Sequence, residues 1–299
     1  MPAIAASALH EPILSWYARE ARDLPWREPG TSPWAVLVSE VMLQQTPVKR
    51  VEPIWRQWMA RWPTPDSLAE SAPGDAVHAW DRLGYPRRAL RLHAAAVAIV
   101  QHHDGFVPDT VRDLLALPGV GTYTAAAVSA FAFGQRTTVV DTNVRRVFAR
   151  VVDGVAQATP SLTRAEMDLA TALLPEAAGD ARTWNVAVME LGAVVCLARS
   201  PRCQDCPVQD LCAWQPARGV VWMQTRNPNH ALRMAKRNDG RLVARGVAGG
   251  YLMSFEFRQS LAWAIRLMRR YTTEETAANE ALGRTICPET GLSAVEERK

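Results

Sequence analysis

Apolar residues recur at three- and four-residue spacing through most of the chain before residue 215, in segments separated by proline, glycine and aspartate. That period predicts helices over 8–21, 33–45, 48–61, 75–82, 87–103, 110–117, 122–133, 141–152, 163–174 and 181–197. The two-residue alternation of a half-buried strand is absent before residue 215. Six of the eleven tryptophans lie between Trp16 and Trp62, where they suit helix–helix contacts in a core. From 216 to 240 Asn, Arg and Gly rise and the periodicity fades, so this stretch reads as a linker. One further helix is expected at 258–271, inside a C-terminal tail of 241–299. The pattern describes an all-α protein followed by a tail to which it assigns no fold.

Length and charge narrow this picture only a little. A chain of 299 residues holds one large domain or two moderate ones. No apolar run is long enough to span a bilayer, and Glu11 and Pro12 interrupt any signal-peptide core, so a cytoplasmic location and no membrane partner are expected. The charge is unevenly spread. Residues 1–215 carry 20 Lys+Arg against 22 Asp+Glu, whereas 216–299 carry 14 against 8. A basic tail suits a polyanion, and it equally suits an ordinary solvated surface.

Four cysteines change the picture more. Cys196, Cys203, Cys206 and Cys212 follow the pattern C-x6-C-x2-C-x5-C with no histidine among them. A compact loop with four thiolates suits a four-iron cluster. Zinc sites of four cysteines usually present two short hooks, and only Cys203 and Cys206 form one. Disulfides suit small secreted domains, which this chain does not resemble in size. The cluster is expected to be structural. Cys287 stands apart as a plain thiol.

Residues 110–133 read TVRDLLALPGVGTYTAAAVSAFAF, two short helices around Leu117, Pro118, Gly119, Val120 and Gly121. Pro118 stops the first helix, and the glycines permit a tight turn that leaves main chain uncovered. Exposed amides at the start of the second helix, with Thr122 as its first residue, form a site for a phosphate. An ordinary helical hairpin with a glycine turn is the plainer alternative.

Two carboxylates complete the candidate chemistry. Glu40 is the only acid in the apolar run from Val36 to Leu43. Burial without a partner would raise its pKa, which suits a general acid; a place at the helix edge would leave it in solvent. Asp141 follows Val139 and Val140 and precedes a helical pattern, so it occupies an N-cap position where amides and the helix dipole favour the ionised form. Capping alone also accounts for an aspartate there. One protonated and one ionised acid together suit cleavage of a glycosidic bond through an oxocarbenium-like transition state.

The motifs SEVMLQQT (39–46), LPGVG (117–121) and VDTNV (140–144), with the cysteine quartet, occur in the order and spacing of the helix–hairpin–helix DNA glycosylases. Within that superfamily the chain resembles the MutY-type adenine DNA glycosylases over about residues 8–215. The resemblance implies an all-α, two-lobed fold with a [4Fe-4S] cluster loop. One lobe is a six-helix barrel over 26–134; the other is a cluster lobe made from 1–25 and 135–215. It implies a monomer acting on double-stranded DNA that carries A:8-oxoG or A:G mispairs. Glu40 would then protonate adenine N7, and Asp141 would stabilise the positive sugar. Tyr123 and Asn143 would line the pocket with Arg27 close by, while Gln45 and Tyr85 would probe the base stack beside the lesion. Each of the last three has a plainer alternative: a surface ion pair for Arg27, a solvated helix residue for Gln45 and a core residue for Tyr85.

Endonuclease III relatives carry a Schiff-base lysine two residues after the hairpin's last glycine. Here that position is Tyr123, so lyase chemistry by this route is not expected. A thymine-mismatch or endonuclease III-like glycosylase, and a non-catalytic helix–hairpin–helix protein, are the alternatives to adenine excision. The MutY-type relatives usually continue into a domain resembling the MutT hydrolases, a pattern that residues 216–299 do not match.

Overall fold

A computed structural model describes residues 6–214 in full and the backbone of three strands between 220 and 256. The chain divides into two compact units. One comprises Ile4–Arg145 and Pro160–Pro207, the other Met1–Ala3, Arg146–Thr159 and Val208–Lys299. Among the described residues before 215, all regular structure is helical. No helix there is long and apolar enough to cross a membrane.

The larger unit is built around helix α2 (Pro33–Leu43), which follows α1 (Ala6–Glu20). Ser32 caps α2 by accepting the Ala35 amide, and Pro33 supplies a preset φ at its first position. Every residue from Trp34 to Met42 is buried, because α3 (Val48–Arg61), α6 (Arg87–His102) and α8 (Thr122–Phe131) all pack on it. A helix covered on all sides must be apolar all round, and this one is, except for Ser39 and Glu40.

The tryptophans do what their spacing suggests. Trp58 meets Trp62 and Trp80 edge-on, with ring centroids 4.9 and 5.4 Å away, and Trp26 meets Trp55 at 5.7 Å. Four indole N–H groups of this cluster find carbonyl partners. Trp34 donates to the Trp62 carbonyl, Trp55 to Ala35, Trp58 to Ala79 and Trp80 to Gly84, at 2.9–3.0 Å. These bonds let large rings be buried without stranding a polar atom.

Helix α4 (Pro65–Ala69) is absent from the periodicity because five residues hold too little pattern. A capping box between Thr64 and Ser67 sustains it instead. Helix α5 (Pro73–Ala79) precedes α6, and α7 (Val111–Ala116) precedes α8.

After α8, residues Thr137 to Val139 are held by one side chain of α11 (Ala178–Val194). Asn185 accepts the Val139 amide at 3.2 Å and donates to the Thr137 carbonyl at 2.8 Å. This fixes the approach to α9 (Thr142–Val151), whose end passes into the smaller unit. Helix α10 (Arg164–Ala172) starts with a second capping box, Thr163 with Glu166, and Glu166 also pairs with Arg145 at 2.8 Å.

In the smaller unit, the Ala213 and Trp214 amides bond to the carbonyls of Val151 and Arg150 at 3.0 Å, and the Arg150 guanidinium lies over the Trp214 ring at 4.5 Å. The strands β1 (Val220–Thr225), β2 (Leu242–Val247) and β3 (Gly250–Glu256) form an antiparallel sheet in the order β1-β3-β2. Val220 pairs with Glu256, and Leu242 with Phe255. This corrects the expectation of a featureless linker over 216–240, since β1 lies inside it. Two more strands begin the tail of 241–299. In β2 the sequence LVARGV lacks clean alternation, which hid it from a periodicity reading. The helix expected at 258–271, and Cys287, lie outside the described residues.

Gly192 marks a close approach within the larger unit. A Cβ built there would lie 2.6 Å from Asn143 Cβ and 3.0 Å from the Asn143 carbonyl. Replacing glycine by alanine inside a helix usually stabilises by about 1 kcal/mol. Here Gly192→Ala is expected to destabilise by about 1–3 kcal/mol, the usual cost of overpacking. Denaturant titration reads this directly, and a more stable variant would contradict the packing described.

Candidate active site

Glu40 sits two turns into α2 and is 6% exposed. Burial pushes its carboxyl up to about 7. A hydrogen bond donated by the Tyr123 hydroxyl and the charge of Arg27 pull the other way, while the charge of Asp141 adds to the rise. The balance favours burial, so near neutrality Glu40 is divided between its two forms. Tyr123, the second residue of α8, has its phenol pushed well above the usual tyrosine range, first by burial and then by the charges of Glu40 and Asp141. It is therefore a proton-bearing donor.

Asp141 has the opposite surroundings. It immediately precedes α9, and its Oδ1 accepts the Val144 amide at 2.7 Å. Its Oδ2 accepts from Asn143 Nδ2, also at 2.7 Å. Both oxygens thus receive short hydrogen bonds, which favour the carboxylate form. The alternative of capping alone is satisfied here as well, since the amide bond is an N-cap.

A third carboxyl escaped the sequence reading. Glu190, on α11, is fully buried. Arg22 engages both of its oxygens, and Arg27 Nη2 donates to Oε2 at 2.9 Å. Burial alone would raise the Glu190 pKa, but the Arg22 hydrogen bonds and the Arg27 and Arg22 charges outweigh it, and the net direction is down. Arg27 is therefore an ion-paired arginine, as one alternative had it, but its partner is buried. Its Nη1 is buried with no hydrogen-bond partner. Tyr17 of α1 lies in the same electrostatic neighbourhood, and burial raises its phenol. The signal for Glu190 was available, because it is a lone acid in the apolar stretch WNVAVMELGAVV, as Glu40 is in its own.

These residues line one cavity of about 1230 Å³. Glu40, Tyr123, Asp141, Asn143, Arg27, Gln45 and Tyr85 all belong to its wall, together with Glu190, Arg22 and Tyr17. Tyr85 is 66% exposed, so the core alternative for it fails. Gln45 is not a helix residue, because α2 ends before it and its φ is +56°.

The hairpin residues Leu117, Gly119, Val120, Gly121 and Thr122 do not line this cavity. Leu117 and Val120 are buried in the hydrophobic core, and the Val120 amide bonds to the Leu117 carbonyl at 3.1 Å. These two side chains anchor the turn, and the phosphate contact expected of the hairpin is one of main-chain amides. Gly119 holds φ +80°, and a Cβ there would lie 2.6 Å from Arg91 Cβ, so only glycine fits. Gly121 caps α8 with no side-chain hydrogen bond, and Gly119, Gly121 and Thr122 are exposed. The hairpin thus offers solvent a bare helix N-terminus.

The four cysteines are half-buried. Cys196 follows α11, with its amide on the Leu191 carbonyl at 2.7 Å. Cys203 and Cys206 bracket a tight turn closed by a 3.1 Å bond between them, and the Cys212 amide bonds to Gln209 at 3.2 Å. An all-thiol donor set held on turns, with no disulfide formed, fits an iron–sulfur group.

Comparison with known proteins gives the same reading. Residues 38–171 match the model of the HhH-GPD superfamily base excision DNA repair proteins, and 196–212 match the iron–sulfur binding domain of endonuclease III. The chain is 56% identical over 206 residues to an adenine DNA glycosylase of Mycobacterium tuberculosis, covering 69% of this chain and 67% of that protein. It is 55% identical over 205 residues to the adenine DNA glycosylase of Mycolicibacterium smegmatis, covering 69% of each. Among solved structures, a thermostable thymine-DNA glycosylase superposes with a TM-score of 0.63 at 28% identity, covering 71% of this chain and 97% of that one. The cofactor is a [4Fe-4S] cluster, for which Cys196, Cys203, Cys206 and Cys212 are the donor set in the matched segment. With identity of this level over two thirds of both chains, the chain belongs to the adenine DNA glycosylases of the helix–hairpin–helix superfamily.

Proposed function

We propose that this enzyme hydrolyses the N-glycosidic bond of adenine mispaired with 8-oxoguanine or guanine in double-stranded DNA, without lyase activity. The observation that carries the reading is the pairing of a buried Glu40, raised to about 7, with a doubly hydrogen-bonded Asp141 in one cavity. An acid used near pH 7 transfers a proton best when its pKa lies close to that pH. In this reading the flipped adenine enters the cavity, Glu40 delivers its proton to N7, and the base leaves as a neutral purine. Asp141 stabilises the positive charge left on the sugar until water attacks.

Tyr123 donates to Glu40 and so holds its carboxyl in one orientation. Asn143 does the same for Asp141. The buried, unpartnered Arg27 Nη1 is available to the base, and the Arg27–Glu190 pair keeps that guanidinium in place. The hairpin amides at Gly119, Gly121 and Thr122 hold a DNA phosphate, which positions the duplex and reads no sequence. Gln45 and Tyr85 probe the stack beside the lesion. Tyr123 occupies the position of the Schiff-base lysine in lyase relatives, and a phenol cannot form that adduct. The cluster acts as a structural staple for segment 196–212.

Three outcomes test these roles. The single-turnover rate of adenine release should be flat at acid pH and fall as pH rises through about 7, because the protonated fraction of Glu40 falls there. Glu40→Gln should lose about 10²–10⁴-fold and abolish that pH dependence. Equal release by wild type and variant on an A:8-oxoG duplex would overturn the assignment. Asp141→Asn should raise the barrier by about 3–4 kcal/mol if the carboxylate opposes developing charge. A loss under threefold would leave it a cap alone.

Stability should fall with rising pH, as the rate does. A folded-state pKa above the unfolded value favours the fold below pH 4.5, and that advantage disappears as pH rises to about 7. The melting temperature of Glu40→Gln should therefore gain on wild type between pH 4 and pH 8. A constant difference would mean that Glu40 is not desolvated.

A further inference from the structure

Gln45 and Tyr85 line the cavity with backbones that side-chain-bearing residues seldom adopt, at φ +56° and +50°. Neither strain serves the core, since Tyr85 is 66% exposed and Gln45 follows the end of α2. Such strain persists only where surrounding contacts over-determine it.

One buried side chain supplies those contacts at both places. Arg88, on α6, is 8% exposed. Its Nη1 donates to the Gln44 carbonyl at 2.6 Å, with the Val41 and Met42 carbonyls at 3.0 and 3.1 Å. Its Nη2 donates to the Gly84 carbonyl at 3.1 Å, the Leu83 carbonyl at 3.2 Å and Thr46 Oγ1 at 3.0 Å. The peptide groups that precede Gln45 and Tyr85 are thus both held by one guanidinium. The far sides are held as well: Thr46 brackets Gln45, and the Tyr85 carbonyl accepts the Arg88 amide at 2.9 Å. The guanidinium also lies 5.7 Å from the centre of the Tyr85 ring.

We propose that Arg88 is a positioning residue that presents Gln45 and Tyr85 to the duplex as one unit, by clamping the two turns that carry them. The inference rests on the reading that these two residues probe the base stack. Only arginine has the rigid, two-armed donor set that reaches both turns; an ammonium is a single point with three donors. Capping the last carbonyls of α2 would need just one of those arms. The other arm, on Leu83 and Gly84, ties the second turn to the first.

The test is a coupling experiment with holoenzyme on a duplex carrying 2′-fluoro-2′-deoxyadenosine opposite 8-oxoguanine, which resists cleavage. Arg88→Lys should weaken binding about tenfold, the size of one lost stacking contact. The pair Gln45→Ala/Tyr85→Ala should weaken it by at least as much. Adding Arg88→Lys to that pair should cost less than about twofold more, because nothing is left to position. A triple variant that multiplies the two losses, or an Arg88→Lys enzyme that binds as wild type does, overturns the proposal. If Gln45→Ala/Tyr85→Ala binds normally, the probing role itself falls, and with it the clamp, by a pattern distinct from the additive one. Should Arg88→Lys fail to fold, Thr46→Val removes a single acceptor of the guanidinium. Its smaller loss, about threefold, should likewise vanish in the alanine pair, and a loss that persists there overturns the clamp.

Discussion

Removing a carboxyl group from water is costly when it is ionised and far less so when it keeps its proton, and helix α2 imposes that choice on Glu40. The helix is buried from Trp34 to Met42 and packed by α3, α6 and α8, and Glu40 meets the cavity with only 6% of its surface exposed. Tyr123 and Arg27 soften the penalty enough to leave the proton exchangeable near neutrality. Without them the acid would hold its proton too tightly to give it away; without burial it would have none to give.

The other half of the chemistry depends on surroundings of the opposite kind. Asp141 receives a main-chain amide and the Asn143 side chain, both at 2.7 Å. The geometry around it is set from α11: Asn185 holds the chain that leads in, and Gly192 lets the start of α9 approach. The same helix carries Glu190, which fixes Arg22 and Arg27. In the proposed reaction α2 would supply the proton, and α11 organises the charged groups around it. Each helix carries a lone acid within an apolar stretch, and the two are tuned apart by whether an arginine pairs with them.

Much of this was legible in the chain because it rests on local pattern. Helices of ten residues or more announce themselves by period, and Glu40 stands out as a polar break in one. Cys196, Cys203, Cys206 and Cys212 were readable because spacing limits what four thiols can hold. What was missed depends on long-range contact. Arg88 meets the end of α2 from more than forty positions away, and nothing in YPRRAL marks which arginine turns inward. That the Leu117 and Val120 side chains of the hairpin motif serve the core also shows only in the packing. Strand β1 lies in a stretch whose composition shift was read as a linker, and β2 and β3 lie in the tail that was given no fold.

The most direct measurement is the titration of Glu40 itself, followed by carboxyl carbon NMR of glutamate-labelled holoenzyme with Glu40→Gln as the assignment control. One resonance, missing from the variant, should titrate at about 7. If every glutamate carboxyl has lost its proton by about pH 5, near the ordinary range, the account of a buried proton donor is contradicted.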